Sequence, residues 1–322
     1  MSTTPGAASE AQAANRHAEL LAAEETLLRA VAPDVTVERG EITTPGGVRL
    51  RYLSCGAGDP LLLVHGRGGS GAQFAPLFAP LAAQRRVITL DLPGWGLSDK
   101  PPFSGHNTRD ALAVWTGGIL ALLDALDIQR VDLLGHSMGG LTTLQLALDH
   151  PERVSSLILA DAGGLGRSTP FDIRLFFWLM PERLFPRFGK DFMERILAQD
   201  DPRYRTQRDA MAPLLDFAWA LYNQPEIIAS GARAFNCWVN PWGVNYDLRD
   251  RLPELEMPVL LLWGERDRII PYTEALQARR RLKHGRLVAF THNGHSPFAE
   301  RPADFARVVN VWLNGGGAPS RV

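Results

Sequence analysis

The stretch that decides the fold covers residues 131–140 and reads VDLLGHSMGG. Its first four residues form a short apolar run typical of a strand, and the residues after Ser137 have the character of a helix. Between them, GHSMG at 135–139 matches the pattern G-x-S-x-G. A strand-to-helix turn of this kind has no room for side chains at the flanking glycines, and it raises the serine hydroxyl above the sheet. The stretch therefore predicts Ser137 as a nucleophile.

Short apolar runs alternate with helical stretches on both sides of this turn. Strands that carry helices on both faces are apolar throughout, so the pattern predicts a mostly parallel α/β sheet. Before it, two alternating segments flank the turn residues PGG at 45–47 and predict an antiparallel hairpin. The predicted strands are 35–43, 48–53, 61–64, 87–90, 131–134, 154–159, 258–263 and 287–290, and the predicted helices are 10–31, 107–127, 138–149, 273–282 and 302–313.

The alternation stops over residues 163–252, which are rich in Phe, Trp, Pro and Arg and which we predict to be helical without strands. Such an interruption is typical of an insertion folded over the sheet. We therefore expect an N-terminal helical extension at 1–34, a core formed by 35–162 and 253–315, and a helical cap at 163–252.

The composition excludes several classes of function. Basic and acidic residues number 34 and 35, so nucleic acid is not an expected partner. Two distant cysteines, Cys55 and Cys237, suggest neither a disulfide framework nor a zinc site. We see no signal peptide and no membrane-spanning run, and we expect a cytoplasmic protein that acts on a small molecule.

A serine hydroxyl needs a base within hydrogen-bonding reach. The best candidate is His295 in the segment NGHSP at 293–297, which follows the last predicted strand. His292 is its nearest rival, and His106 is a more distant one.

The imidazole in turn needs a carboxylate that fixes its tautomer. Asp267 follows the strand 258–263 and lies at the same predicted sheet edge. Asp161, at the end of the strand 154–159, is an alternative, and Glu265 is a third candidate.

The oxyanion of the reaction needs two hydrogen-bond donors. We expect the backbone N–H of Met138, at a helix N-terminus, and the backbone N–H of Arg67. Arg67 lies in the glycine-rich loop HGRGGS at 65–70, which lacks the G-K-[ST] ending of a P-loop. No metal and no organic cofactor is implied.

As a set, these motifs resemble the α/β-hydrolase family over residues 35–315. The matching segments are HG at 65–66, DLPGWGLSD at 91–99, GHSMGG at 135–140, GERD at 264–267 and GH at 294–295. Their order of nucleophile, acid and histidine is that of the family. The resemblance implies an eight-stranded sheet with the cap inserted between strands 6 and 7, and a structural turn at 91–99.

Ser137 excludes the relatives that use an aspartate nucleophile, such as those similar to haloalkane dehalogenases and epoxide hydrolases. Carboxylic ester hydrolysis is the leading hypothesis. The alternative is carbon–carbon hydrolysis of a vinylogous diketone, as in the meta-cleavage-product hydrolases. Those relatives usually carry Trp directly after the catalytic histidine, where this chain has Ser296. A perhydrolase, an acyltransferase and a non-catalytic ligand-binding protein are further alternatives.

The cap offers the only indication of substrate, because aromatic-lined sites suit apolar or aromatic groups. We expect three or four of its aromatic residues to line a pocket, and we name Trp178, Trp219 and Trp238 as candidates. The others form the core of the cap itself. An arginine among Arg174, Arg183, Arg187 and Arg195 could bind a substrate carboxylate, which would favour the carbon–carbon hydrolase.

Overall fold

The computed structural model of the chain describes residues 7–201, 203–317 and 320–322, and its centre is an eight-stranded sheet. The sheet order is β1-β2-β4-β3-β5-β6-β9-β10, in which β1 and β2 are antiparallel to their neighbours and the remaining pairs are parallel. The ten strands, of which β7 and β8 form a separate hairpin, are β1 Glu38–Thr43, β2 Arg49–Cys55, β3 Pro60–Val64, β4 Arg86–Leu90, β5 Val131–His136, β6 Val154–Ala160, β7 Val239–Asn240, β8 Gly243–Val244, β9 Val259–Gly264 and β10 Gly285–Phe290.

Helices cover both faces of the sheet, which explains why the central strands are apolar throughout. All six residues of β9 are buried, as are the last four of β3 and of β5. The helices are α1 Ala7–Val31, α2 Ala75–Ala82, α3 Thr108–Ala125, α4 Met138–Asp149, α5 Phe171–Trp178, α6 Pro181–Phe188, α7 Lys190–Asp200, α8 Arg203–Thr206, α9 Arg208–Tyr222, α10 Glu226–Ala229, α11 Gly231–Trp238, α12 Tyr272–Arg279, α13 Pro297–Glu300 and α14 Pro302–Leu313, with 3₁₀ turns at Gly71–Phe74, Pro151–Arg153 and Arg249–Glu254.

The carboxyl ends of the parallel strands meet at one edge, where the loops after β3, β5, β6, β9 and β10 come together. In open α/β sheets this edge is where ligands bind. None of the described helices combines the length and the apolar composition needed to cross a bilayer.

Residues 163–252, which we call the cap segment, connect β6 to β9 and carry helices α5 to α11. The prediction that this segment has no strands is wrong in one detail. Val239–Asn240 and Gly243–Val244 form a two-stranded antiparallel hairpin with Trp242 in its turn. The strands are too short to give an alternating pattern, so the sequence carried no signal for them.

The N-terminal helix α1 packs between the sheet and the cap segment, against α2 and α9. Leu20 and Leu27 are buried, and Glu24 forms a buried ion pair with Arg51 of β2, with Nη1 and Oε2 2.7 Å apart. Nearer its N-terminus, Arg16 pairs with Glu226 of α10 at 2.7 Å. The predicted extension thus bridges the two parts of the molecule, and its first six residues lie outside the described ones.

Candidate active site

Ser137 lies between β5 and α4 with a backbone conformation rarely adopted by L-residues, φ 54° and ψ −118°. The flanking glycines are required sterically. A Cβ at Gly135 would collide with Thr143 and with the carbonyl of Gly139, and a Cβ at Gly139 would collide with the carbonyls of Val64 and His65. The strained turn therefore presents the predicted nucleophile at the carboxyl edge of the sheet, as its sequence indicated.

His295 and Asp267 lie close together on neighbouring loops, after β10 and β9 respectively. His295 Nδ1 is 2.8 Å from Asp267 Oδ2, and both side chains are buried. The other carboxylate oxygen of Asp267 accepts the backbone N–H groups of Ile269 at 2.7 Å and Ile270 at 2.9 Å. The carboxylate is thus fixed by the backbone and holds the imidazole in one orientation.

Asp161, the alternative acid, also lies beside this pair. It ends β6 with φ 44°, and its Oδ1 accepts the backbone N–H of Gly264 at 2.9 Å. One side-chain ligand atom from each of Asp161, Asp267 and His295 lies within 4.8 Å of the others. Such a group could hold a cation, but Asp267 and His295 are already bonded to each other. The hydrogen bond between Asp161 and the Gly264 N–H connects the end of β6 to a residue three positions before Asp267.

Of the rival candidates, His292 is exposed and has its Nδ1 2.8 Å from an Arg266 nitrogen. Glu265 forms an ion pair with Arg321 at 3.1 Å. Neither His292 nor Glu265 borders the cavity that holds Ser137.

Of the two predicted oxyanion donors, Arg67 lines the same cavity, and Met138 directly follows Ser137, which lines it. Met138 is the first residue of α4, so its backbone N–H has no acceptor within the helix. Arg67 follows β3 in a turn closed by a hydrogen bond from Gly69 N to Gly66 O of 3.2 Å. Gly66, Arg67, Gly68 and Gly69 border the cavity together with Ser137.

The side chain of Arg67 joins the core to the cap segment, which the sequence did not indicate. Its guanidinium forms a buried ion pair with Glu182 of α6, with Nη1 and Oε1 2.8 Å apart and side-chain exposures of 3% and 0%. It also lies 5.1 Å from the ring centroid of Phe177 and 5.2 Å from that of Phe235, both in the cap segment. Opposite charges that leave water together need close pairing, and this geometry supplies it.

Tyr222 completes this junction from α9. Its hydroxyl lies where a Cβ of Gly68 would be, so only glycine fits at that position of the loop. Burial raises the pKa of Tyr222 to about 12, which keeps the hydroxyl neutral beside Arg67.

His136 is a second residue that the sequence did not indicate. Its Nε2 donates to the backbone carbonyl of His295 at 2.8 Å, and the two rings lie 4.9 Å apart. Burial and the neighbouring His295 hold the pKa of His136 well below 6.5, so the ring stays neutral. The contact fixes the backbone of the loop that carries the predicted base.

Ser137, His295 and His136 open onto a cavity of about 480 Å³ between the sheet edge and the cap segment. Its cap-side wall is mostly apolar. The lining residues from the cap segment are Asp172, Ile173, Phe176, Phe177, Phe185, Ile196, Leu197, Gln199, Tyr204, Leu214, Phe217, Ala218, Leu221 and Tyr222.

The three tryptophans named from the sequence do not line this cavity, so that expectation needs correction. Trp178 lies on the outer face of α5, with its ring 5.3 Å from that of Trp242. Trp219 packs in a cap cluster with Phe185, and Trp238 is buried against Gly163. Aromatic content predicted an apolar pocket, but helix orientation decides which rings face it.

The arginines named as a possible carboxylate clamp are also absent from the wall. Among the described residues that line the cavity, the cationic side chains are Arg67, which is paired with Glu182, and Arg268, which is exposed. Arg67 is therefore not available to a substrate carboxylate, whereas Arg268 forms no ion pair with another described residue.

Comparison with known proteins agrees with this architecture. A protein-family model for the alpha/beta hydrolase fold matches residues 59–302. The 2-hydroxymuconate semialdehyde hydrolase of Pseudomonas sp. strain CF600 is 30% identical over 294 residues, which cover 88% of this chain and 96% of that protein.

Two solved structures are also similar. A bacterial membrane phospholipase A is 27% identical with a TM-score of 0.68, covering 93% of this chain and 92% of that one. A thermophilic esterase from Thermogutta terrifontis is 25% identical with a TM-score of 0.70, covering 86% and 98%. The proteins that the chain resembles include carbon–carbon bond hydrolases and esterases, and the chain is a hydrolase. With its eight-stranded sheet and the matching family model, the chain belongs to the α/β-hydrolase family.

Proposed function

We propose that the protein is a serine hydrolase that cleaves a carboxylic ester with an apolar acyl group. The single observation that carries this proposal is the convergence of Ser137, His295 and the Arg67 loop on one mostly apolar cavity, with Asp267 fixed behind the histidine. In the proposed arrangement, Asp267 accepts the Nδ1–H of His295, so that Nε2 acts as the base for Ser137.

In the proposed mechanism, the Oγ of Ser137 attacks the ester carbonyl while Nε2 of His295 accepts its proton. The resulting oxyanion binds the backbone N–H groups of Met138 and Arg67. Collapse of the tetrahedral intermediate breaks the carbon–oxygen bond of the ester, and the imidazolium returns its proton to the departing alkoxide. Water then attacks the acyl-enzyme by the same route, with His295 again as base, and releases the acid.

Carbon–carbon hydrolysis of a vinylogous diketone is the second candidate, and the name of the Pseudomonas relative favours it. Two observations favour the ester instead. Ser296 follows His295, and Arg67 is already neutralised by Glu182. A dienoate substrate would bring a carboxylate into the cavity, where Arg67 is already paired and where burial against the apolar cap wall is unfavourable.

The proposal is tested with a fluorophosphonate probe followed by intact and peptide mass measurement. We expect one adduct, on Ser137, that Ser137→Ala abolishes. Ser104→Ala, which removes an exposed hydroxyl far from the site in sequence, is the matched control and keeps the adduct. Absence of an adduct on the folded wild-type protein would falsify the serine mechanism.

A second assay distinguishes the two chemistries. Purified protein is given aryl esters of graded acyl length and, separately, a panel of vinylogous diketones. We expect turnover of the esters with an aliphatic acyl chain. Turnover of the diketones alone would assign the site to carbon–carbon cleavage and withdraw the ester proposal.

A further inference from the structure

Helix α5 is apolar on two opposite faces. Ile173, Phe176 and Phe177 turn inward and line the cavity. Phe171 and Trp178 turn outward, where they are 58% and 40% exposed, together with Leu175 and Leu179. A helix at a protein surface normally carries polar residues on its outer face, so this outer face lacks a partner within the described chain.

The hairpin of β7 and β8 extends the exposed apolar surface. Trp242 is 80% exposed, and its ring packs edge-on against Trp178 with centroids 5.3 Å apart. Arg174 lies between the two elements, since its Nη1 is 3.7 Å from the position of a Cβ on Gly243. We call the set Phe171, Leu175, Trp178, Leu179 and Trp242 the outer apolar patch.

This patch is distinctive within the described residues. Their exposed phenylalanines and tryptophans all lie in the cap segment, namely Phe171, Trp178, Phe188 and Trp242. Tryptophan and phenylalanine that project into solvent at a hairpin turn and a helix face are characteristic of side chains that enter a lipid headgroup layer.

The charges of residues 167–190, the segment that contains four of the five patch residues, are mainly positive. Arg174, Arg183 and Arg187 form no ion pair with another described residue, and Asp172 is the one acidic side chain of residues 167–190 besides the buried Glu182. The neighbouring Arg167 and Lys190 are compensated by Asp247 and Asp216. This segment therefore carries an excess of positive charge, although the whole chain has a net charge of −1.

This combination fits an anionic bilayer better than a second copy of the chain. In a symmetric dimer, the same patch lies on both sides of the interface, so the arginines of one copy would face those of the other. An anionic lipid surface instead complements the arginines and accepts the projecting rings.

We propose that the outer apolar patch and its arginines dock the protein on an anionic phospholipid surface, with α5 separating the lipid from the cavity. The docking does not depend on the chemistry at Ser137. The cavity then takes an ester with an aliphatic chain from this surface. This second part of the inference rests on the proposed function.

Vesicle co-sedimentation tests the docking. We expect the wild-type protein to sediment with vesicles of phosphatidylglycerol and phosphatidylcholine. The double variant Phe171→Ser/Trp242→Ser should bind these vesicles at least about tenfold more weakly. Leu276→Ser, which removes an exposed apolar side chain on α12, is the matched control and keeps wild-type binding. The double variant Arg174→Gln/Arg187→Gln should lose the preference for anionic vesicles over pure phosphatidylcholine.

Fluorophosphonate labelling of Ser137 is measured on the same samples, so the two proposals fail separately. Labelled protein that never sediments with vesicles overturns the docking and leaves the serine mechanism intact. If the variant Phe171→Ser/Trp242→Ser sediments with vesicles as well as the wild type does, docking lies on another surface and the proposal is also overturned. If the wild-type protein does not bind vesicles but forms a concentration-dependent dimer, and the same variant dissociates that dimer, the patch binds a second copy and the lipid proposal is overturned.

Discussion

The sheet core and the cap segment contribute to the cavity in different ways. In the core, backbone groups position the reacting side chains: two amides hold Asp267, and His136 holds the carbonyl of His295. In the cap segment, side chains such as Phe176 and Phe185 form the wall by packing on one another, with ring centroids 6.2 Å apart. On the proposed function, the core sets the positions of Ser137 and His295, and the cap segment selects the substrate.

The largest expected effect tests the core. Asp267→Asn should lower kcat/KM for an aryl ester by about 10⁴-fold, because the amide no longer stabilises the imidazolium or fixes its tautomer. Asp161→Asn should lower it by less than about tenfold, since the amide oxygen still accepts the Gly264 N–H. Steady-state kinetics on both variants decides between the two acids, and equal losses would mean that they share the role.

The next largest effect is expected at the junction between the core and the cap segment, where Arg67 pairs with Glu182. Glu182→Gln leaves the buried charge of Arg67 without its partner, so we expect a loss of about 3 kcal/mol in the free energy of unfolding. We also expect a lower kcat, because Arg67 carries a proposed oxyanion donor. Urea denaturation and kinetics measure the two effects.

The double variant Arg67→Met/Glu182→Met separates stability from positioning, because it removes both charges together. Stability should return towards the wild-type value, since an apolar pair needs no desolvation of charge. If kcat returns with it, the Arg67 side chain has no part in placing its own backbone N–H.

A smaller effect is expected in the cap wall. Ala218→Leu narrows the cavity, so kcat/KM for a long-chain aryl ester should fall about tenfold while that for the acetate stays unchanged. Ala210→Leu makes the same change at an exposed position of α9 and is the control. A series of p-nitrophenyl esters measures the shift, and equal losses at every chain length would contradict the assignment of this wall.

The smallest effect concerns pH, and it belongs to the core because the cap segment contains no histidine. Burial lowers the pKa of His65 below its usual value of 6.5. The Nε2 atom of the buried ring accepts the backbone N–H of Leu92 at 3.0 Å. The unfolded chain therefore binds the proton first, and the free energy of unfolding decreases as pH falls below about 6.5, by at most about 1.4 kcal/mol per pH unit for this group.

His65→Asn should flatten that slope. Denaturation curves between neutral and mildly acidic pH measure it for wild type and variant. At neutral pH and above, His65 is neutral in both states, so the two stability curves should run parallel there. An unchanged slope at acidic pH would mean that His65 does not contribute to acid sensitivity.

Much of the core could be predicted from local sequence. The predicted bounds of α4 and α14 agree with the observed Met138–Asp149 and Pro302–Leu313, because helix periodicity and turn residues mark their ends. Helix α2 was not predicted, since Pro80 is unfavourable inside a helix. Packing of Leu77, Phe78 and Leu81 on the core outweighs that local preference.

The candidate site likewise combines features that local sequence predicts with features that depend on tertiary structure. The sequence by itself determined the turn at Ser137 and the loops that carry Asp267 and His295, because strand ends and glycine sterics are local properties. Only the tertiary structure decided that Arg67 pairs with Glu182, 115 residues away, and that Trp178 faces outward. Such contacts depend on how helices orient over the sheet, and no local pattern encodes that orientation.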